Sequence, residues 1–269
     1  RPSDQLVAEA RLLSRSHSEL VLTGIHIGHY GRDRTGGTTL AGLCRRMLDE
    51  VPGVRFRLGS IEATEIDDDL LDLIVSSDGL LAPHLHVPLQ SGSDEVLGRM
   101  RRWHTREQYR VRALEIAARV SPLGLGADII VGFPGETDAD HSLTRALVRE
   151  LPFTYLHVFP YSVREGTRAE ELPDRVPRHL AAERSRELRE IGVAKGFAYA
   201  SRRVGGRALV AVETQTSGLT GDYLRVRVPG PSDPGSLVRT TLSGVAGDLQ
   251  AVAGATGRAA LPIRTASTG

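Results

Sequence analysis

Gly126-Ala-Asp-Ile-Ile-Val-Gly132, followed by Phe133-Pro-Gly135 and Thr137, decides the architecture of this chain. The run is apolar, bounded by glycine and too short for a helix, so it reads as a buried strand. It leaves through Phe-Pro-Gly, and Thr137 is placed to cap a helix carrying Leu143 and Leu147. A strand that turns directly into a helix is the repeating unit of a parallel sheet.

The unit recurs in both directions. Upstream, a helix after Pro2 and Ser3 turns Leu6, Ala10 and Leu13 inward, and Glu19 to Gly28 reads as a strand ending in a glycine-punctuated loop. A helix follows over 40–49, then a strand at Val54-Arg-Phe-Arg-Leu58, a helix over Asp67 to Val75 and a strand from Leu80 to Leu89. Thr105-Arg-Glu-Gln108 is a capping box opening a helix whose inner face is Tyr109, Ala113, Ile116 and Ala117. Downstream, Phe153 to Tyr161 is a fifth strand. The fold class is α/β. Five strand-helix units are fewer than the eight of a closed barrel, so a partial barrel or an open sheet missing an edge strand is expected, with something preceding Arg1.

After Tyr161 the pattern changes to a charged stretch with Pro173 and Pro177, then an Arg- and Glu-rich linker helix near His179 to Ala200. Ala208 to Val212, Tyr223 to Val228, Leu237 to Val245 and Asp248 to Ala253 are short strands with Gly and Pro turns, a small β-barrel in outline. The division is therefore a partial barrel over 1–165, a linker region over 166–200, a small barrel over 201–254 and a disordered tail over 255–269.

Charge is nearly balanced at +1, yet from Ser201 onward eight arginines face four acids, so the tail is the part suited to polyanions. Lys195 is the only lysine. No apolar run approaches the ~20 residues of a membrane-spanning helix, and a cytoplasmic protein is expected. Cys44, the only cysteine, excludes a disulfide framework and any multi-thiolate metal site made by this chain alone. It falls on the apolar face of its helix with Leu40, Leu43, Met47 and Leu48, where a free thiol is a small hydrophobe.

In parallel α/β folds ligands meet the C-terminal ends of strands. The exits here are Thr23-Gly24 and Gly28, Gly59-Ser-Ile-Glu62, Pro88-Leu-Gln-Ser-Gly-Ser-Asp94, Gly132-Phe-Pro-Gly-Glu-Thr137 and Phe159-Pro-Tyr-Ser162. All five combine small residues, which admit a ligand to the backbone, with polar ones that orient it.

Glu19 to Gly31, Arg57 to Glu62, His84-Leu-His-Val-Pro-Leu-Gln-Ser-Gly-Ser-Asp94, Gly126 to Thr137 and Leu156-His-Val-Phe-Pro-Tyr-Ser162 resemble the radical-SAM tRNA methylthiotransferases, over Arg1 to about residue 200. Phe153 to Thr167 is most similar to the MtaB type, which modifies threonylcarbamoyladenosine beside the anticodon. The segment Ser217-Gly-Leu-Thr-Gly-Asp-Tyr-Leu-Arg-Val-Arg-Val228 is similar to the RNA-binding TRAM barrel of these enzymes.

The resemblance implies a radical-SAM barrel lacking its first strand, S-adenosylmethionine, and two [4Fe-4S] clusters whose cysteines would lie upstream of Arg1, leaving this chain without metal and inactive alone. It implies methylthiolation of C2 of N6-threonylcarbamoyladenosine at position 37 of tRNA, or of N6-isopentenyladenosine. The partners it implies are the tRNA anticodon stem-loop and an electron donor such as flavodoxin or ferredoxin, around a monomer. Thr23 and Gly24 are carried over to the amino-acid end of S-adenosylmethionine, Ser60, Glu62, Gln90 and Ser91 to its polar and ribose groups, and Gly132, Phe133 and Pro134 to the adenine side. Arg202, Arg203, Tyr223, Arg225 and Arg227 are the expected RNA contacts. Gly59 and Ala63 depart from the family's serine and proline, and Trp103-His104 from its Arg-Tyr; Trp103 is expected to pack the next helix. Two other readings start from the residues themselves. One is a zinc-dependent barrel hydrolase built on His84 and His86 with His157. The other is a catalytically inert RNA-binding remnant.

Overall fold

The computed structural model describes residues 1–33, 37–228, 232–245 and 251–253. The expected disordered tail over 255–269 lies outside them, as do 248–250 at the start of the last expected strand. The order is α1 (Ser3–Leu13), β1 (Glu19–Leu22), α2 (Leu40–Glu50), β2 (Arg55–Leu58), α3 (Asp68–Ser76), β3 (His84–His86), α4 (Asp94–Arg99), α5 (Arg106–Arg119), β4 (Gly124–Val131), α6 (Asp138–Glu150), β5 (Tyr155–Pro160) and α7 (Arg178–Arg203). Then come β6 (Arg207–Thr214), β7 (Ser217–Thr220), β8 (Arg225–Arg227), β9 (Leu237–Val245) and β10 (Ala251–Ala253).

Strands β1 to β5 are parallel and lie in sequence order. β1 pairs with β2, β4 pairs with both β3 and β5, and the Phe56–Leu81 and Ser60–His86 bridges join the two groups. β3 is shorter than the Leu80 to Leu89 strand expected, because Pro83 and Pro88 have no N–H to give a ladder. Its extended course survives as bridges at Leu81, Ser60–His86 and Gln90–Ile129. Helix starts are capped as expected. Thr105 accepts from the Gln108 N–H while Gln108 answers on the Thr105 N–H, and Thr137 and Asp140 repeat the arrangement on α6.

One apolar core runs from Val7 on α1 through Met47, Leu71, Ile116 and Ile129 to Leu188 on α7. Helix α7, expected as a linker, thus lies along β5 and closes the sheet's last edge. Strands β6 to β10 form a closed barrel in the order β10-β8-β7-β6-β9. Its core includes Val210, Val226 and Leu242 together with Tyr199 and Ala200 of α7. The Tyr223 to Val228 strand begins two residues late, since Tyr223 sits in a turn at φ 69°.

The small barrel sits under the N-terminal ends of the parallel strands, opposite their exits, and two arginines hold it there. Arg55 is fully buried and donates to the carbonyls of Leu209 (2.5 Å) and Leu219 (2.8 Å) as well as to Glu19. Arg57, 3% exposed, donates to Thr220 O and Gly221 O, both at 2.9 Å, and to both Glu19 oxygens. Alternation in Val54 to Leu58 is therefore genuine, but its polar face lines the inside of a half-barrel and not solvent.

Candidate functional site

The concave face of the sheet follows from the period of two in each strand. It carries Glu19 and Val21 on β1, Arg55 and Arg57 on β2, His84 and His86 on β3, Gly126 and Asp128 on β4, and Tyr155, His157 and Phe159 on β5. Register brings Asp128 opposite His157 and Gly126 opposite both His86 and Tyr155. Gly126 is required, since a Cβ there would stand 2.0 Å from the Tyr155 ring.

The lower half of this face is sealed. Tyr223, expected as an RNA stacking platform, has its ring 4.4 Å from His84 and 4.9 Å from Tyr155, with the Arg57 guanidinium 5.3 Å from its centroid. These aromatic contacts are within the protein, and 39% of Tyr223 remains exposed. His84 is buried, bonded through Nε2 to the Tyr155 hydroxyl (2.8 Å), and desolvation with Arg57 and His86 nearby pushes its pKa down to about 2. With Nε2 taken by that hydroxyl and its ring enclosed, His84 is not among the metal-ligating side chains that converge among the described residues, which are His86, Asp128 and His157. The expected pairing of His84 with His86 is therefore not the one the structure brings together.

The upper half is open. His86 Nε2 lies 3.0 Å from Asp128 Oδ1, and His157 Nδ1 lies 3.2 Å from the same oxygen. Partial burial pushes the Asp128 carboxyl up, but the two imidazoles outweigh it and hold the group below its ordinary range. Asp128 is the site residue that reading the sequence passed over; its signal is a lone acid inside an otherwise apolar strand.

Above this cluster stand the strand exits. Thr23, Gly24 and Ser60 are exposed, and Glu62 is half-buried with one oxygen 3.0 Å from Arg102 Nη1. Gln90 is held at φ 67°, its N–H donating to Asp128 O (2.8 Å) and its carbonyl accepting from Ile130 N–H (2.9 Å). A non-glycine residue in that region is strained, and such strain concentrates at ligand sites. Ser91 is different: fully buried, its Oγ accepts from the Ser93 N–H (3.2 Å) and faces Thr144 Oγ1 (3.4 Å). The structure assigns that hydroxyl to anchoring α6.

Gly132 needs its glycine, at φ 73° with a built Cβ 2.6 Å from Ala181. Its N–H donates to Glu136 (2.6 Å), which in turn accepts from Arg184 of α7 (2.7 Å). Phe133 is 5% exposed and edge-on to Tyr161, so this loop offers a ligand mainly backbone. Trp103, expected to pack the next helix, is instead 85% exposed, and His104 occupies the buried place with its Nε2 3.3 Å from Leu89 O.

The radical SAM superfamily model matches residues 1–147, more than half of the chain and the part that carries four of the five exits. The chain belongs to the radical SAM superfamily. Within that superfamily it is 36% identical over 246 residues to the threonylcarbamoyladenosine tRNA methylthiotransferase MtaB of Rickettsia prowazekii (strain Madrid E), covering 91% of this chain and 58% of that protein. It is 35% identical to the MtaB of Bacillus subtilis (strain 168), covering 87% and 54%. It is 39% identical to the tRNA-2-methylthio-N(6)-dimethylallyladenosine synthase of Sorangium cellulosum (strain So ce56), covering 79% and 46%. The chain thus spans about half the length of these relatives.

In a radical SAM chain the open exits are where S-adenosylmethionine is expected. Thr23 and Ser60 are exposed there, whereas Gln90 is 7% exposed. An iron-sulfur cluster is another matter. Clusters are held by several thiolates, whereas Cys44 is alone, fully buried on α2, and its thiol is pushed up to about 12 by desolvation. The residues present do not fit such a cluster.

Of the expected RNA contacts, Arg202, Arg225 and Arg227 are exposed, the last two on one face of β8. Arg203 is paired with Asp222 at 2.6 Å. No described helix is long and apolar enough to cross a membrane.

Proposed function

We propose that this chain is the S-adenosylmethionine-facing and tRNA-facing part of a tRNA methylthiotransferase that acts on C2 of N6-threonylcarbamoyladenosine at position 37. The observation that carries the reading is the similarity to MtaB, which runs through both the sheet and the small barrel. We read β1 to β5 as most of a radical-SAM barrel, and β6 to β10 as a TRAM-like RNA-binding unit.

Bound S-adenosylmethionine supplies the reactive group, with the [4Fe-4S] chemistry resting on cysteines from outside these residues. This chain's contribution is placement. Thr23 and Gly24 take the amino-acid end of the ligand, Ser60, Glu62 and Gln90 its polar and ribose groups, and the Gly132 to Pro134 backbone its adenine. Arg102 donates to Glu62 and fixes the position of its carboxylate. The open end of the concave face receives the target base, whose flat ring suits the exposed ring of Phe159. Arg202, Arg225 and Arg227 contact tRNA phosphates. The 269 residues alone are inactive in this account.

The test is the nucleoside content of bulk tRNA from cells in which the gene is disrupted, measured by mass spectrometry. The methylthio form of threonylcarbamoyladenosine should vanish and the unthiolated form accumulate. The similarity to dimethylallyladenosine synthases makes loss of methylthiolated isopentenyladenosine the competing result.

A further inference from the structure

The geometry points to a mononuclear site for a divalent transition-metal ion on the concave face of the sheet, formed by His86 Nε2, Asp128 Oδ1 and His157 Nδ1. These three donors lie within 4.8 Å of one another. The two contacts to Asp128, 3.0 and 3.2 Å, are the spacing of donors sharing one ion, since bonds of about 2.0–2.2 Å set neighbouring ligands about 3 Å apart. The three side chains come from adjacent parallel strands, with Asp128 level with His157 and two residues beyond the level of His86, so the scaffold and not a loop fixes them.

Burial is graded in the way an open site requires. His86 is buried, Asp128 intermediate and His157 exposed, which leaves the remaining coordination positions facing the cleft. His86 is also supported from behind: its Nδ1 is 3.0 Å from the Tyr155 hydroxyl, whose oxygen can accept a hydrogen bond from Nδ1–H and so direct Nε2 toward the ion. Two imidazoles and one carboxylate suit zinc, iron(II) or cobalt(II) better than magnesium or calcium, which prefer oxygen. The site goes beyond the methylthiotransferase reading, because it requires neither a cluster nor S-adenosylmethionine.

The experiment uses the 269-residue chain stripped with a chelator and titrated with zinc by calorimetry and with cobalt(II) by visible absorption. One equivalent of each should bind saturably, cobalt giving the intense bands of a low-coordinate nitrogen and oxygen site. Asp128→Asn and His157→Ala should each lose binding, and Tyr155→Phe, which keeps all three ligands, should weaken it about 10- to 100-fold. His29→Ala should bind as the parent does; His29 is 3.2 Å from Glu65 near a second surface histidine, and this control separates the proposed site from that pair. Circular dichroism confirms that each variant is folded. Absence of saturable binding by the parent, or binding untouched by Asp128→Asn and His157→Ala, overturns the proposal whatever the tRNA analysis gives.

Discussion

Arg184→Met is expected to destabilise the fold by about 3–5 kcal/mol at neutral pH, the range for removing one partner of a buried ion pair. Arg184 and Glu136 are 4% and 5% exposed, and the guanidinium also reaches the Glu136 carbonyl (3.1 Å) and Asp138 (2.7 Å). Losing it leaves a buried carboxylate whose remaining hydrogen bond is the Gly132 N–H. Burial already holds the Glu136 carboxyl above its ordinary value, with Gly132 and Arg184 pulling the other way, so without Arg184 it rises further. A carboxyl raised on folding contributes stability below its unfolded value, roughly 4.3, and loses it as pH climbs through the folded value. The deficit of the variant should therefore shrink as pH is lowered from neutrality. The readout is the urea midpoint at several pH values by circular dichroism; Trp103, the only tryptophan, is 85% exposed and reports little by fluorescence. A deficit independent of pH would mean that packing, and not the charge, is what Arg184 supplies.

The second large effect is expected at Arg55. Arg55→Met keeps most of the side-chain volume but removes the guanidinium donor from the Leu209 and Leu219 carbonyls, of which Leu209 keeps the Gly221 N–H, a cost of roughly 1–3 kcal/mol. Glu19 retains Arg57, so its charge is not abandoned. The loss falls on the joint between the sheet and the small barrel. Limited proteolysis should cut the variant first in the region after Arg203, with the parallel sheet persisting as a resistant core. Uniform loss of both parts would show that the joint is not separable from the sheet's own stability.

The parallel strands and their helices were legible because each has a local cause: Thr105 and Thr137 cap, Gly132 turns, and the helix stripes repeat at three and four. What stayed hidden was the direction of the polar faces. In Val54-Arg-Phe-Arg-Leu58 the pattern is that of a half-solvated strand, and nothing local says that a barrel 150 residues later covers the arginines. The same blindness hid the packing of Tyr223 on His84, although that residue stays 39% exposed, and misplaced Trp103, which proved exposed while His104 took the pocket. At the site, exits were readable from small and polar residues together. The division of labour within one exit was not: Gln90 is tied to β4 through its backbone at a positive φ, while the hydroxyl of neighbouring Ser91 is spent on Ser93 and α6. Asp128 was missed because its partners are contributed by two other strands.

The most direct test of the central claim, that these strand exits hold the cofactor of a methylthiotransferase, is complementation of the disrupted gene with single-site variants. The whole gene should restore the methylthio group on threonylcarbamoyladenosine. The gene carrying Gln90→Ala or Ser60→Ala with Glu62→Gln should yield protein at the parental level but tRNA with little or no methylthio group. Full methylthiolation by those variants would contradict the account.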